Sequence, residues 1–544
     1  MSRAAVLVLA IFLTGTAVAE DGARFLIIAY DNYADAVQPL AKWRQAAGIS
    51  TRLVLTSETG TDTAAIRNYI YNAWSTWPTR PEYVLIVGSP SNIRAYSYGR
   101  QQWRYYSDNY YGDMTGSIQA EIAVGRFPAR SVTDAELMVA KTLAYEREPY
   151  REDSLWMLRL TTIVREGGDF DDTIYWNNSR NLARLAGENG FVACDSLSTY
   201  RGHNVSHVYN SVNTGTGFVM YRGTAGGWWR DPFNVNPYNT ANGTKLPIIL
   251  SMTCETMSLD PYDVLLGQYW VYAGTTADPA GAVAFFGNTY SAVSVARQRG
   301  AVARGVAAGL FSDRLDRLGP ITLRGKQQLL AEFPSDTFDY RGFNVLGDPC
   351  LAVWTGRPLV LEVARPREIL TGPQDLDVTV THEGAPVANA VVCASLDSTV
   401  WTVDTTDADG RAALAIDPPH IGSLRLVVTG RNLVPFDGTI PVVPELGVAG
   451  PALPPLLPGF RFEARPTVAS GPVRFKWSDP VAWRLEVTDK LGRTVRTVDA
   501  DGRTALAWDG RDGQDRPARA GVYFARLVDR AGRGLASCRL LRLD

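Results

Sequence analysis

Histidine is scarce in this chain. Its 544 residues include four histidines, His203, His207, His382 and His420. Histidine is the side chain whose ordinary pKa best suits proton transfer near neutral pH. A mechanism that needs a histidine general base therefore has few candidates here. The last two histidines lie in regions with the pattern of β-strands.

Cysteine is also sparse, and its five positions are scattered along the chain at Cys194, Cys254, Cys350, Cys393 and Cys538. This spacing matches neither a disulfide scaffold nor a zinc site. Because the number is odd, at least one thiol stays unpaired within the chain. A free thiol beside a predicted strand end is a candidate reactive group, and a buried inert cysteine is the alternative.

The chain lacks an excess of charge and lacks long apolar runs. Its 54 basic and 56 acidic residues give a net charge of -2, which offers no support for a nucleic-acid partner. The apolar run 4–13 is too short to span a bilayer, follows Arg3 and precedes a small-residue cleavage pattern at 17–19. We therefore expect residues 1–19 to be a signal peptide. The protein is predicted to be exported to the periplasm, cell surface or medium, with no membrane span.

The length predicts several domains. Alternating strand and helix patterns predict a doubly wound α/β fold in two sub-domains, 20–150 and 151–357. Strand patterns with turn signals predict a small immunoglobulin-like β-sandwich at 358–442. A Pro-rich linker at 443–459 and a second β-sandwich at 460–544 follow.

Two short apolar runs, 218–221 and 247–251, have the pattern of buried strands. A Gly-rich turn, 223–227, follows the first run, and Cys254 follows the second. In open parallel sheets, ligands bind at the carboxyl ends of the strands. The sequence therefore predicts a site where these two runs end.

These segments resemble the catalytic strands of the gingipain family of cysteine peptidases, which have a caspase-like fold. In that family the first strand ends Tyr-x-Gly-His-Gly with a following Trp, and the second ends Ser-x-x-Cys. Segments 122–128 and 343–353 are also similar to family segments, so the resemblance covers about residues 24–354. The matching positions around the site are Tyr221, Gly223, Trp228 or Trp229, Ser251 and Cys254.

The chain departs from the family at the histidine, where it has Thr224, followed by Ala225. The resemblance implies that Cys254 is the nucleophile and that the backbone amides of Ala225 and Cys254 stabilise an oxyanion. It also implies a peptide or protein as substrate or ligand. No cofactor is required, and the family's structural calcium is implied without assigned ligands.

Three more residues are candidate substrate contacts. Ser107-Asp108 resembles a family loop, and in Arg-specific gingipains an acidic residue near it binds the substrate's basic side chain. A loop aspartate that caps a turn or binds calcium is the alternative for Asp108. Trp228 and Trp229 would suit a peptide- or sugar-binding cleft, with packing under the Gly-rich turn as the alternative.

The C-terminal segment carries Trp-Asp-Gly-Arg-Asp-Gly at 508–513 and Ala-Gly-Val-Tyr-Phe at 520–524. These motifs resemble the immunoglobulin-like module of the flagellar hook-cap protein FlgD. Similar modules close many exported bacterial proteins. The resemblance implies a contact with the cell surface or the secretion machinery.

The remaining question is which group acts as the general base. His203 and His207 precede the strand 218–221 by a helix, so we expect them at the opposite end of that strand from Thr224. A threonine cannot replace an imidazole as a base near neutral pH. Two functions follow: an impaired, secreted gingipain-like cysteine peptidase, or a catalytically inactive, peptidase-derived extracellular binding protein.

Overall fold

The computed structural model describes residues 22–101, 104–149, 153–292, 295–444, 461–478, 482–530 and 532–543. The predicted signal peptide and nearly all of the predicted linker lie outside the described residues. The chain divides into two compact units, Met1–Pro444 and Glu445–Asp544.

A ten-stranded sheet forms the centre of the first unit. Its strands are short apolar runs because a parallel strand covered on both faces has no side that meets water. In β1 and β3, for example, all five residues are buried. The strands of the α/β region are β1 Phe25–Ala29, β2 Thr51–Leu55, β3 Tyr83–Val87, β4 Tyr96–Tyr98, β5 Tyr105–Ser107, β6 Ala123–Phe127, β7 Arg159–Val164, β8 Ala193–Ser198, β9 Phe218–Arg222, β10 Ala225–Gly226, β11 Trp228–Trp229, β12 Ile248–Ser251, β13 Ala284–Asn288 and β14 Phe343–Leu346.

The strand order is β2-β1-β3-β6-β14-β13-β12-β9-β7-β8, and β4–β5 and β10–β11 form separate hairpins. Within the ten-stranded sheet the β13–β14 pair is antiparallel and the other pairs are parallel. Strands β7, β8, β9, β12 and β13 consequently all end at the same edge, called here the site edge. The pairing of β14 with β6 joins strands from both predicted sub-domains in this sheet.

Helices cover both faces of the sheet. Helices α1, α4, α6 and α7 pack on one face, and α3, α5, α8 and α9 pack on the other. The predicted doubly wound α/β architecture is therefore confirmed. The helices are α1 Ala34–Ala46, α2 Thr56–Thr59, α3 Thr63–Thr76, α4 Val132–Arg147, α5 Asp171–Glu188, α6 Val205–Thr214, α7 Leu266–Tyr272, α8 Ala296–Ala307, α9 Leu318–Glu332 and α10 Thr337–Gly342.

The sequence predicts a helix at 302–311, and the structure corrects where this helix begins. Helix α8 begins earlier, at Ala296, and continues into a π-helical turn, Ala308–Ser312. Buried glycines interrupt its apolar pattern. At Gly305 a larger residue would not fit, because a Cβ there would lie 2.6 Å from the carbonyl oxygen of Arg324 in α9. Close packing against α9, which the sequence pattern did not indicate, thus explains the glycines.

The first β module, residues 359–443, is a sandwich of a four-stranded and a five-stranded sheet around one apolar core. Its Val427 packs on Trp43 and Ala46 of α1 and on Ala47 just after it, and Trp401 Nε1 donates a hydrogen bond to Gln45 O at 2.8 Å. The strands are β15 Leu359–Val360, β16 Glu362–Ala364, β17 Ile369–Leu370, β18 Gln374–His382, β19 Ala385–Pro386, β20 Val391–Leu396, β21 Val400–Thr405, β22 Arg411–Ile416, β23 Gly422–Thr429, β24 Leu433–Val434 and β25 Phe436–Val443.

The second unit is also all-β, with sheets of three and five strands around a core that includes Phe475, Leu485 and Trp508. The all-β modules predicted after the α/β region are confirmed. The strands of this unit are β26 Phe462–Arg465, β27 Val468–Ala469, β28 Val473–Trp477, β29 Arg484–Asp489, β30 Thr494–Asp499, β31 Ala505–Trp508, β32 Gly521–Val528 and β33 Gly534–Arg542.

No helix within the described ranges combines the length and the apolar character needed to cross a membrane.

Candidate active site

The turn after β9 requires its glycine. Gly223 has φ +153°, and a Cβ there would approach the Cβ of Arg165 to 2.7 Å. The carbonyl oxygen of Gly223 accepts a hydrogen bond from the hydroxyl of Thr253, in the loop after β12. Because β9 and β12 are neighbouring parallel strands, this bond fixes the Thr224 turn and the Cys254 loop side by side at the site edge.

The Cys254 sulfur is partly buried and contacts a guanidinium group. Arg299 Nη1, from α8, lies 2.7 Å from Cys254 Sγ. The Cys254 thiol also donates a hydrogen bond to the carbonyl oxygen of Ala292, with 3.4 Å between sulfur and oxygen. A donor at this distance to sulfur is close enough for a charge-assisted hydrogen bond.

Arg299 is itself held rigidly. It is 3% exposed, and its Nε donates to Asp339 Oδ1 at 3.0 Å. Asn288 Nδ2, at the end of β13, donates to the same oxygen at 2.6 Å. Burial lowers the pKa of Arg299, but the Asp339 carboxylate and the Cys254 sulfur together outweigh burial and raise that pKa above its ordinary value. The guanidinium beside the thiol is therefore charged at any physiological pH.

A second guanidinium, that of Arg222 at the end of β9, is fully buried nearby. Its Nη1 donates to the carbonyl oxygen of Met252, and its Nη2 donates to that of Ala296 at 2.8 Å. Its guanidinium lies over the ring of Tyr175 at 4.8 Å. Burial lowers the pKa of Arg222 to about 10, so it is still charged at neutral pH.

Thr224 is occupied by structural hydrogen bonds. Its Oγ1 accepts from Arg165 Nη1 at 3.2 Å, and its carbonyl oxygen accepts from the hydroxyl of Tyr221 at 2.8 Å. A hydroxyl that accepts from a guanidinium has no basic character near neutral pH. The family's histidine position is therefore filled by a group that cannot move a proton from the thiol.

The predicted location of His203 and His207 is wrong. Both follow β8, which ends at the site edge, and His207 lies in the first turn of α6. They are thus at the same edge as Thr224, because the first turn of a helix begins where the preceding strand ends. Strand β8 is nevertheless three positions from β12, roughly 14 Å. The backbone amide of Ser198 donates to His203 Nδ1, which fixes that ring at the end of β8.

The structure contradicts the substrate-binding prediction for Asp108. Its carboxylate is buried, with the residue 3% exposed, and accepts two hydrogen bonds of 2.7 Å from Arg126 Nε and Nη2. Both oxygens are therefore engaged inside the protein. The remaining Arg126 nitrogen donates to the carbonyl oxygens of Gly88 and Ile93. The pair has a structural role.

The two tryptophans differ. Trp229 is 1% exposed, stacks on Tyr221 with ring centroids 4.6 Å apart and donates to Ser251 Oγ. It therefore packs under the turn, and its predicted substrate contact is contradicted. Trp228 is half-buried against Tyr269, with ring centroids 4.8 Å apart. A ligand contact for Trp228 stays a prediction.

The predicted oxyanion amides, Ala225 and Cys254, lie in the two loops that the Thr253 bond joins, and their role stays a prediction. For calcium, the described ranges contain no group of three or more His, Cys, Asp or Glu side chains that could hold a metal ion. The calcium expected from the resemblance therefore has no assigned residues in this structure.

Arg299 and Asp339 were not predicted from the sequence. Arg299 stands 45 positions after Cys254, in a segment whose apolar pattern does not indicate a helix. Its only signal was an arginine shortly after a strand that ends at the site edge. Asp339 lies in the short helix α10, which no pattern indicated.

The α/β region, its neighbouring strand ends and the cysteine between them match a known family. The model of peptidase family C25 matches residues 18–354, which is more than half of the chain. The chain belongs to peptidase family C25. This is the family of gingipain-like cysteine peptidases that the motifs indicated.

Two relatives from Porphyromonas gingivalis show the extent of this similarity. Gingipain R2 is 22% identical over 526 residues, which cover 94% of this chain and 66% of the relative. Gingipain R1 is 22% identical over 376 residues, which cover 66% of this chain and 37% of the relative. The chain thus spans about two thirds of the first relative and little more than a third of the second.

Solved structures confirm the fold. The crystal structure of the Arg-specific cysteine proteinase gingipain R is 20% identical with a TM-score of 0.70, covering 78% of this chain and 98% of that chain. The complex of Porphyromonas gingivalis RgpB pro- and mature domains is 19% identical with a TM-score of 0.69, covering 77% and 100%. The C25 chain described here therefore has the caspase-like fold.

Proposed function

We propose that this C25 protein is an exported, gingipain-like cysteine peptidase whose peptide-bond hydrolysis is impaired at Thr224. The observation that carries the proposal is the contact of 2.7 Å between Cys254 Sγ and the buried Arg299 guanidinium. A cationic neighbour activates a cysteine by favouring the thiolate, which is the nucleophilic form. Cys254 is thereby supplied with one of the two functions that a family histidine provides.

The missing function is proton transfer to the leaving amine. Thr224 cannot supply it, and the histidines that share the site edge are three strand positions from Cys254. Loss of one member of a catalytic dyad costs several orders of magnitude in rate. We therefore propose a reactive thiol with slow amide hydrolysis.

A catalytically inactive, peptidase-derived extracellular binding protein is the second candidate function. The hydrogen bond between Arg165 and Thr224 Oγ1 favours it, because this bond closes the histidine position structurally. Half-buried Trp228 would then contact a bound peptide or protein. For the C-terminal β unit we propose contact with the cell surface or the secretion machinery.

Alkylation of the purified mature protein with iodoacetamide tests the proposal. Cys254 should label at pH 7 faster than a model thiol, and the label should be absent from Cys254→Ala. Cys194→Ser is the matched control, because Cys194 is an exposed thiol away from the site. Labelling of Cys254 no faster than the model thiol would remove the nucleophile and leave the binding-protein function.

A further inference from the structure

Two buried guanidiniums, those of Arg222 and Arg299, lie beside the Cys254 loop. Within hydrogen-bonding distance of Arg222 and Arg299, the described residues contain one carboxylate, that of Asp339. Both guanidiniums are at least nine-tenths buried. Buried charges require compensation because transfer from water into a protein interior is costly. The Asp171 carboxylate also acts on the charge of Arg222, whereas the sulfur of Cys254 lies directly against the Arg299 guanidinium.

We infer that Cys254, held by the Arg299 guanidinium, accepts acyl groups from thioesters and aryl esters far faster than from amides. This inference rests on the reactive thiol of the proposed function and names the substrate class of that site. Arg299 touches the reacting sulfur and is thus a catalytic residue. Its three fixed contacts, to Asp339, Tyr290 and Cys254, leave it in place through the reaction.

The first chemical step needs no proton transfer when the leaving group is a weak base. The thiolate attacks the carbonyl carbon, a carbon–sulfur bond forms, and the bond to the leaving oxygen or sulfur breaks. The leaving atom takes the electron pair and departs as an aryl oxide or thiolate. The corresponding acids have pKa values of about 10 for a phenol and about 8.5 for a thiol, so these anions are tolerable in water.

An amide does not meet this condition. Its nitrogen must be protonated before the carbon–nitrogen bond breaks. A guanidinium cannot donate that proton, because it stays protonated throughout the physiological range. Arg299 thus replaces the histidine as a stabiliser of the thiolate and does not replace it as an acid. The geometry therefore separates activated esters from peptides.

The second step is hydrolysis of the acyl-Cys254 thioester. Water must lose a proton as its oxygen attacks the carbonyl carbon and the carbon–sulfur bond breaks. Thr224 Oγ1 is no base, since it accepts a hydrogen bond from Arg165 Nη1. Water attack is consequently slow, and the acylated protein accumulates. Ester turnover should show a rapid release of one equivalent of leaving group, followed by a slow phase.

The experiment compares p-nitrophenyl acetate with acetyl p-nitroanilide on the mature full-length protein at pH 7. Wild type should release one equivalent of p-nitrophenolate rapidly and gain one acetyl group by intact mass. It should release p-nitroaniline far more slowly than p-nitrophenolate. Arg299→Gln should acylate at least roughly tenfold more slowly, because it removes the positive charge that contacts the attacking sulfur.

Three variants make the result specific. Arg297→Gln removes a neighbouring arginine of α8 that lies over Phe170, 5.7 Å from the ring centroid, and should acylate like wild type. Arg299→Lys keeps the charge and should restore part of the rate that Arg299→Gln loses. Cys254→Ala should show no burst. A thermal unfolding curve for each variant shows that it is folded before its rate is compared.

The outcomes separate this inference from the proposed function. If Cys254 alkylates rapidly but Arg299→Gln acylates at the wild-type rate, the inference fails and the reactive thiol stands. If wild type releases p-nitroaniline as fast as p-nitrophenolate, a proton donor exists and the inference fails while the peptidase function gains support. If Cys254 reacts with neither iodoacetamide nor the ester, both fail.

Discussion

Thr224 and Cys254 lie at the ends of neighbouring strands, β9 and β12, yet their side chains differ in what they can do chemically. The thiol has a fixed cation at 2.7 Å. The threonine hydroxyl accepts a hydrogen bond from a guanidinium, and it acts neither as an acid nor as a base near neutral pH. At the scale of residues, the site therefore has its nucleophile and lacks its acid.

We predict that Thr224→His creates amide-cleaving activity. An imidazole can protonate the leaving amine, and general acid–base catalysis contributes about 100-fold or more to such reactions. The measurement is the release of fluorogenic amine from a pool of peptidyl amides that vary in the residue before the scissile bond. The variant should exceed wild type by at least about 100-fold.

Thr224→Ala is the control, since it removes the hydroxyl without adding a base and should match wild type on amides. Adding Cys254→Ala to Thr224→His should abolish the new activity. Equal rates for the histidine and alanine variants would show that position 224 does not reach the scissile bond.

Cys254 could be predicted from the sequence because two strand ends and a local motif surround it. Arg299 could not be predicted, because its contact with the sulfur depends on how α8 packs across β12 and β13. For Asp108, by contrast, the sequence predicted a role that the structure contradicts. A loop carboxylate suggested substrate binding, whereas packing against β6 buries it with Arg126. Side-chain partners distant in sequence are set by tertiary packing, which local patterns do not contain.

At the scale of elements, the Asp108–Arg126 pair joins the loop after β5 to β6. Asp108→Asn would leave the Arg126 guanidinium buried without a counter-charge, which costs about 3–5 kcal/mol. We predict a loss of that order in the free energy of unfolding of the first unit, measured with denaturant. The peptide preference of any activity should not change, because the carboxylate does not face a substrate.

An exposed pair provides the comparison. Glu188→Gln removes the partner of Arg184 on the surface of α5, where both side chains are more than half exposed. Such pairs contribute about 1 kcal/mol or less. A loss for Asp108→Asn as small as this one would refute its structural role.

Helix α4 carries a buried lysine that makes stability depend on pH. Lys141 Nζ donates to the carbonyl oxygen of Val271 at 2.9 Å, and burial lowers the pKa of Lys141 to about 7. Between that pH and the ordinary value near 10.5, the unfolded chain binds a proton that the folded chain does not. The free energy of unfolding should therefore rise with pH over this range, by about 1 kcal/mol per unit.

We predict that Lys141→Met removes this contribution, so its stability relative to wild type is highest near pH 7 and declines toward pH 10. Denaturant curves at both pH values measure it. Lys42→Met, at an exposed position of α1, should leave the pH dependence unchanged. Lys326, whose pKa is also lowered to about 7 by burial, keeps part of the slope in both variants. A slope unchanged by Lys141→Met would contradict the prediction.

The doubly wound order of strands and helices could be predicted, because apolar runs with alternating helical spacing have few compatible packings. The boundaries of α8 and the existence of α9 could not. Gly305 and Gly325 interrupt the helical pattern there, and they are explained only once the close α8–α9 contact is known. Such glycines weaken a helix in isolation and permit its packing in the fold.

At the scale of the whole molecule, the first β module is part of the first compact unit and covers one side of α1. Trp43, Ala46 and Ala47 are buried with Val427 of that module. Trp401 Nε1 donates to Gln45 O, and Arg431 Nε donates to Thr355 Oγ1. Removing the module would thus expose an apolar helix face and leave donors and acceptors without partners.

We predict different consequences for two truncations. A chain ending at Pro444 follows the boundary between the units and should keep the wild-type rate of Cys254 alkylation and the unfolding temperature of the first unit. A chain ending at Arg357 uncovers Trp43, a change of about 2 kcal/mol for that side chain alone. Its unfolding temperature should fall by at least roughly 3 °C. Because α1 packs on the sheet face opposite α8, Cys254 should still alkylate in the molecules that fold.

Calorimetry and alkylation of both chains test this prediction. Equal unfolding temperatures for the two chains would mean that the first β module does not stabilise the α/β region, and a lower temperature for the chain ending at Pro444 would mean that the second unit does.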